Sequence, residues 1–219
     1  MTLREKDCNR FLLVEGYSDL TFLAEMLEHL GIGQNEGQGA TPVFIKEFSG
    51  KTDLLDQIES WLTPKKLYAA KAIGIVVDAD TSTIATRQSL AGRLQRSTGL
   101  ALPRDGGWAP HAGGVRLGFH VVPGEGPDDQ GEIETLAWRS LHEDASRQAT
   151  IDCVESFLAE RRSLQGPVVK ADKARVAAFL STLTPDDPRL GPGARAKHFP
   201  FDARAFAPLR DFLLGMKGL

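Results

Sequence analysis

Two short acidic stations end apolar runs in this chain: Phe11-Leu12-Leu13-Val14-Glu15-Gly16 and Ile73-Gly74-Ile75-Val76-Val77-Asp78-Ala79-Asp80. If both runs are neighbouring parallel strands, Glu15, Asp78 and Asp80 converge at one rim of the sheet, where open α/β folds hold their ligands. Three carboxylates that close repel one another by several kcal/mol at protein-like dielectric, so they need a cation or must give up charge. The expectation is a divalent metal site. Asp-x-Asp at a strand end sets one carboxylate near the strand axis and the other in the following turn, which suits Mg²⁺ or Mn²⁺ with room left for phosphate oxygens. The ordinary reading of each station is a capping or solubilising acid. Against it, Glu15 directly follows four apolar residues, a rim position that is costly for an unpaired charge, and Gly16 allows a sharp turn or leaves space for a ligand.

The surrounding pattern supplies the elements that would hold these groups. After the first strand, Ser18 can cap a helix with the apolar stripe Leu20, Leu23, Ala24, Leu27 and Leu30, ended by Gly31 and Gly33. Pro42 to Phe48 reads as a second strand, Thr52 to Leu62 as a helix, Ile73 to Val77 as a third strand, and Thr83 to Arg96 as a helix. The alternation predicts a parallel sheet with right-handed crossovers. Leu100 to Gly114, dense in Gly and Pro, reads as a loop, and Arg116 to Val122 as a fourth strand. Pro123 to Asp129 then opens into a helix bearing Glu132, Glu134, Leu136 and Leu141. Helices follow over Ile151 to Leu164, Ala171 to Leu183 and Phe206 to Met216, with a proline-rich turn at Pro185, Pro188 and Pro192. The expected organisation is an α/β domain over residues 1–145 and a helical extension over 146–219 packed on it.

Composition bounds the rest. With 219 residues and 42% hydrophobic content the chain can bury one sizeable core. A formal net charge of -3 gives no global basic field, so any nucleic-acid contact is local. Two distant cysteines, Cys8 and Cys153, argue against a disulfide framework or zinc knuckle, and the five histidines lack ligand spacing. A charged start at Arg4 to Asp7 and the lack of any apolar run near ~18 residues predict a soluble, cytoplasmic protein with no membrane partner.

Val14-Glu15-Gly16 with Asp19, then a strand and helix, then Ile75-Val76-Val77-Asp78-Ala79-Asp80, resembles the Toprim domain of topoisomerases, bacterial primases, overcoming-lysogenization-defect nucleases and ribosomal-RNA maturases. With Glu132 and Glu134, the order is most similar to a stand-alone Toprim-like bacterial and archaeal family. The resemblance covers most of the chain, including Lys170-Ala171-Asp172-Lys173 and Ala196-Lys197-His198-Phe199. It implies a compact Rossmann-like sheet and Mg²⁺- or Mn²⁺-dependent phosphodiester chemistry, foremost a nuclease on DNA or RNA. It also implies a role for Glu15 as metal ligand or general acid/base, metal ligation by Asp78 and Asp80, and a further acid at Asp19. First-turn placement in a helix accounts for Asp19 equally well. Of Glu132 and Glu134, one is expected to face the site and the other solvent, with Glu134 preferred. Lys173, or else Lys170, would steady developing charge on the phosphate, although a solvated helix face is the plainer reading of each. Gly16 would line the substrate path, and Trp108 and His111, in the glycine-rich loop, would stack on a base.

Two other readings stay open. Val76-Val77-Asp78-Ala79-Asp80 also resembles the nucleophile strand of haloacid-dehalogenase-like phosphatases, with Asp128-Asp129 as the late acidic motif, though Ser82 stands where Thr or Val is usual and Glu15-Gly16 would have no purpose. The third reading is a non-catalytic nucleotide- or nucleic-acid-binding subunit of a larger complex, beside a companion ATPase as in nuclease relatives. Strand-breaking tyrosine chemistry is disfavoured, since only Tyr17 and Tyr68 are available and the domain that carries that tyrosine in relatives has no counterpart. Substrate, oligomeric state and one or two metals stay open.

Overall fold

The computed structural model describes residues 4–32, 42–103, 105–124, 129–184 and 186–217. Gly33, Asp128 and Pro185, each given a role above, lie outside the described residues. The elements run β1 (Arg10–Val14), α1 (Tyr17–His29), β2 (Phe44–Glu47), α2 (Lys51–Trp61), α3 (Pro64–Ala69), β3 (Ala72–Asp78), α4 (Thr83–Thr98), β4 (Gly107–Pro110) and β5 (Arg116–Val122). After these come α5 (Ile133–Leu141), α6 (Gln148–Gln165), α7 (Ala171–Ser181), α8 (Leu190–Arg195) and α9 (Ala207–Leu214).

The five strands lie in the order β2-β1-β3-β5-β4. β1 pairs in parallel with both β2 and β3, and β3 with β5. β3, buried from Ala72 to Val77, is the apolar run of a strand covered on both faces. On one face Leu12, Val14, Val76 and Val122 pack with α1, α5 and the helices of the C-terminal third in one continuous core. On the other, Phe11, Leu13, Ile75 and Val121 pack with α2, α3 and α4. The result is an α/β/α sandwich, with the C-terminal helices sharing the core of α1 and α5.

Three local expectations are corrected. The glycine-rich segment contains β4, an antiparallel fifth strand pairing Gly107 with Phe119 and Pro110 with Arg116. Its Gly and Pro are tolerable because it is a short edge strand. Helix α1 begins at Tyr17 with Gly16 as its cap, not Ser18: the Asp19 carboxylate accepts the Gly16 N–H at 3.1 Å, so the chain passes from strand to helix without a linker. Within the expected proline-rich turn lies α8, where Gly191 is required, since a Cβ there would meet the Thr21 hydroxyl of α1 at 2.1 Å.

Candidate functional site

The strand order makes a crevice. From β1 the chain departs to α1 on one face of the sheet, and from the adjacent β3 it departs to α4 on the other. Ligands of open α/β sheets sit at such a reversal, outside the carboxyl ends of the strands. Glu15 leaves β1 here and Asp78 ends β3 here. The Asp78 peptide is gripped from both sides: its N–H donates to Glu15 Oε1 at 2.8 Å, and its carbonyl accepts from Lys51 Nζ at 2.7 Å. The Asp78 carboxylate in turn accepts the Ile133 N–H at 3.1 Å, a free donor in the first turn of α5. Paired hydrogen bonds between Asp80 and Gly131, 3.0 and 3.1 Å, fasten the start of α5 to the exit of β3. Glu132 and Glu134 thereby arrive at the same rim.

The expected convergence of Glu15, Asp78 and Asp80 is met in part: Glu15 accepts the Asp78 N–H, whereas Asp80 is already paired with Lys51 at 3.1 Å, and the charges that bear on Asp78 are those of Asp19, Glu15 and Glu134. Burial pushes the Glu15 carboxyl up to about 7, against the relief of the Asp78 N–H and Lys51, with Asp19 and Asp80 adding repulsion. Burial, then Glu134, pushes Asp19 up to about 6 despite the Gly16 hydrogen bond and Lys173. Asp78 is held well above the usual carboxylate range by burial and then by Asp19, Glu15 and Glu134. Glu15, Asp19, Asp78 and Glu134 thus repel one another across the crevice. Among the described residues, Glu15, Asp19 and Asp78 have no lysine or arginine at ion-pair distance.

The outer acids differ. Lys170 Nζ lies 2.9 Å from Glu132 Oε2, and Lys173 Nζ lies 3.2 Å from Glu134 Oε1 and 3.8 Å from Glu132. Glu132 and Glu134 are both buried, 7% and 4% exposed, which corrects the expectation that one faces solvent. Lys170, which precedes α7, and Lys173, in its first turn, stand over both. The Lys170 ammonium is held above its ordinary value, chiefly by its hydrogen bond to Glu132. For Lys173, burial works downward but Glu134 and Glu132 more than offset it. Asp80 stands at the outer margin: its backbone takes a left-handed φ of 54°, its side chain is half-exposed, and its carboxylate pairs with Lys51 at 3.1 Å.

Lys51 is absent from the sequence reading. Its ammonium donates to the Asp78 carbonyl, to Asp80 and, at 2.9 Å, to the Thr86 hydroxyl. The signal that could have found it is a lysine opening a helix directly after a strand and a glycine turn, Ser49-Gly50-Lys51.

Trp108 and His111 are not at the site, which corrects their assignment to base stacking. Trp108, on the edge strand β4, pairs with Gly118, where a Cβ would come within 2.8 Å of its ring; the indole stacks on Phe212 at 4.8 Å and donates to the Phe212 carbonyl at 2.8 Å. His111 follows Pro110, which pairs with Arg116 at the start of β5, the rim opposite Asp78, and its Nε2 lies 3.0 Å from the Thr98 carbonyl. Asp129, a late acid in the phosphatase reading, is gripped by two nitrogens of Arg139 at 2.9 and 3.3 Å.

Fold and rim together define an open-sheet α/β protein with a carboxylate-rich crevice at its β1/β3 reversal. Residues 9–216 match the family described as "Protein of unknown function (DUF3226)", and the chain belongs to that family. No curated protein and no solved structure matches it. None of the described helices is long and apolar enough to cross a membrane.

Proposed function

We propose that this chain is a Toprim-like, Mg²⁺- or Mn²⁺-dependent phosphodiesterase, a nuclease acting on DNA or RNA. The observation that carries the reading is the inner trio Glu15, Asp19 and Asp78: three acids in one crevice, raised by burial and by one another, with no ion-pair partner among the described residues. Groups so arranged are candidates for function because burial and mutual repulsion perturb their titration. Oxygen-only donors of this kind suit a hard cation. As they stand, no three His, Cys, Asp or Glu side chains among the described residues are gathered tightly enough to hold a metal ion, so binding requires side-chain rotation.

Glu15, Asp78 and Asp19 would hold the ion, with Glu134 and Asp80 in reserve as Lys173 and Lys51 release them. A bound Mg²⁺ or Mn²⁺ supplies water activation and charge neutralisation on a phosphodiester. The chain's own residues do the remainder. Glu15, whose carboxyl burial raises to about 7 while no cation is bound, would accept or return a proton at its carboxylate where Asp78 and Asp19 alone hold the ion. Lys173, half-exposed beside Glu134, can turn to a phosphate oxygen and stabilise developing charge. Gly16 leaves open space next to Glu15. A nucleic-acid partner, contacted locally, and a companion ATPase belong to the same proposal.

A second reading has its own observation. Lys51, Lys170 and Lys173 already balance Asp80, Glu132 and Glu134, as a non-catalytic nucleotide- or nucleic-acid-binding subunit would require. Mn²⁺-dependent cleavage of plasmid, single-stranded DNA and RNA, with p-nitrophenyl phosphate as control, separates the readings. The nuclease reading expects wild-type cleavage of a nucleic acid, loss in Glu15→Gln and Asp78→Asn, and no phosphatase activity. Three proteins that behave alike would refute it.

A further inference from the structure

The crevice does not end at the acids. A cleft of about 540 Å³ opens between the first turn of α1, helix α7 and the segment entering α8, and Glu134 and Lys173 lie in its lining. Val176, Leu190 and Pro192 give it apolar walls. A second hollow, about 450 Å³, borders the end of β2 and is polar, with Lys46, Ser49 and Gln57 beside two acids, Glu47 and Asp53. Tyr17 lines both. It is separated from Glu15 by Gly16 alone, and at 62% exposed it stands as a large aromatic surface at the lip of the acidic crevice.

We propose that Tyr17 and the hollows on either side of it hold unpaired nucleotides flanking the phosphodiester presented to the acids, so that the polymer recognised is single-stranded nucleic acid. The inference rests on the metal-dependent phosphodiester reading and names its substrate class. Each hollow falls within the size of small-ligand sites, roughly 300–1,000 Å³, which accommodates a nucleoside and not a duplex. Bases in a duplex are stacked on one another and cannot cover a protein ring, whereas a free strand offers every base as a stacking partner. Charge at the lip agrees. Arg189 and Arg195 border the larger cleft with side chains 70% and 74% exposed. Arg195 meets Glu25 through a single nitrogen at 3.0 Å, a contact it can exchange for a phosphate, whereas Asp187, itself in the cleft lining, grips Arg189 through two nitrogens at 2.6 and 2.7 Å. The apolar wall, the ring and the Arg195 guanidinium thus match base, base and backbone.

The test measures anisotropy of fluorescein-labelled oligo(dT), oligo(U) and a duplex of matched length with the full chain in Ca²⁺. Mn²⁺ binding is followed separately by calorimetry. Tyr17→Ala removes the ring, Tyr17→Phe keeps it, and Ala177→Trp, at an exposed position on the cleft wall, fills the space. Expected are tighter binding of at least one single strand than of the duplex, by about 10-fold or more, and a loss of about 5- to 100-fold in Tyr17→Ala and Ala177→Trp. Tyr17→Phe should bind as wild type, and all four proteins should bind Mn²⁺ equally. Equal binding of duplex and single strand, no binding of either strand, or unchanged binding in Tyr17→Ala and Ala177→Trp, each with Mn²⁺ affinity intact, overturns this inference alone. Absence of Mn²⁺ binding by the wild type brings down the reading beneath it as well.

Discussion

The acids of the crevice form two groups that differ in how their charge is met. Glu132, Glu134 and Asp80 each have a lysine at 2.9 to 3.2 Å. Glu15, Asp19 and Asp78 have backbone N–H donors instead, from Asp78, Gly16 and Ile133. A peptide N–H orients a carboxylate but brings no full charge, so the inner group is positioned without being neutralised. The fold therefore places its lysines on the rim and leaves the centre without an ion-pair partner among the described residues, an arrangement that costs stability and that the proposed cation would relieve.

The comparison breaks if the two groups respond alike to neutralisation. Asp78→Asn keeps an oxygen for the Ile133 N–H yet removes a repelled charge. It should lower Mn²⁺ affinity by about 100-fold or more, beyond the ~10–100-fold typical of residues that only orient ligands. In metal-free buffer at pH 8 it should raise Tm, by about 2–4 °C per kcal/mol of repulsion relieved. Glu132→Gln should do the opposite, losing about 1 kcal/mol with its ion pair and changing Mn²⁺ affinity by less than about 10-fold. Calorimetry and thermal melts on the same preparations compare them directly.

Proton linkage sharpens the same contrast. The Glu15 and Asp19 carboxyls are raised from ordinary values of 4.5 and 3.8 to about 7 and about 6. The native state therefore binds more protons than the unfolded chain between those limits, and stability falls as pH rises through them. In EDTA the protein should be more stable near pH 5 than near pH 8, by on the order of 1–2 kcal/mol after allowance for solvent screening. Saturating Mn²⁺ should flatten that slope, and a slope of opposite sign would mean the inner acids are already neutralised. Lys51→Met should cost about 1–3 kcal/mol, because the Asp78 carbonyl and Thr86 hydroxyl lose a donor. The smallest effect is expected of Lys170→Ala, below about 1 kcal/mol, since its side chain is 55% exposed.

What was legible in the sequence follows from what local pattern encodes. Apolar runs ending in a carboxylate located β1, β3 and the Glu15–Asp78 meeting, because parallel neighbours end at a common rim. Glu134 and Lys173 were legible as a late acid and a late base, although their pairing was not: it depends on how α7 docks against α5. β4 and α8 were hidden because their glycines and prolines read as turns, whereas Trp108 of β4 packs over Gly118 of β5 and Gly191 of α8 packs against Thr21. Trp108 illustrates the converse error. An aromatic in a glycine-rich stretch suggested an exposed stacking surface, but its ring belongs to the core beside Phe212, and the exposed aromatic near the acids is Tyr17.

The central claim is that Glu15, Asp19 and Asp78 await a divalent cation. Calorimetric titration of Mn²⁺ into the wild type beside Asp78→Asn at pH 8 tests it directly. The account predicts saturable binding by the wild type and its loss in Asp78→Asn, with the variant melting at a higher temperature in EDTA; no Mn²⁺ binding by the wild type, or equal affinity in both, would contradict it.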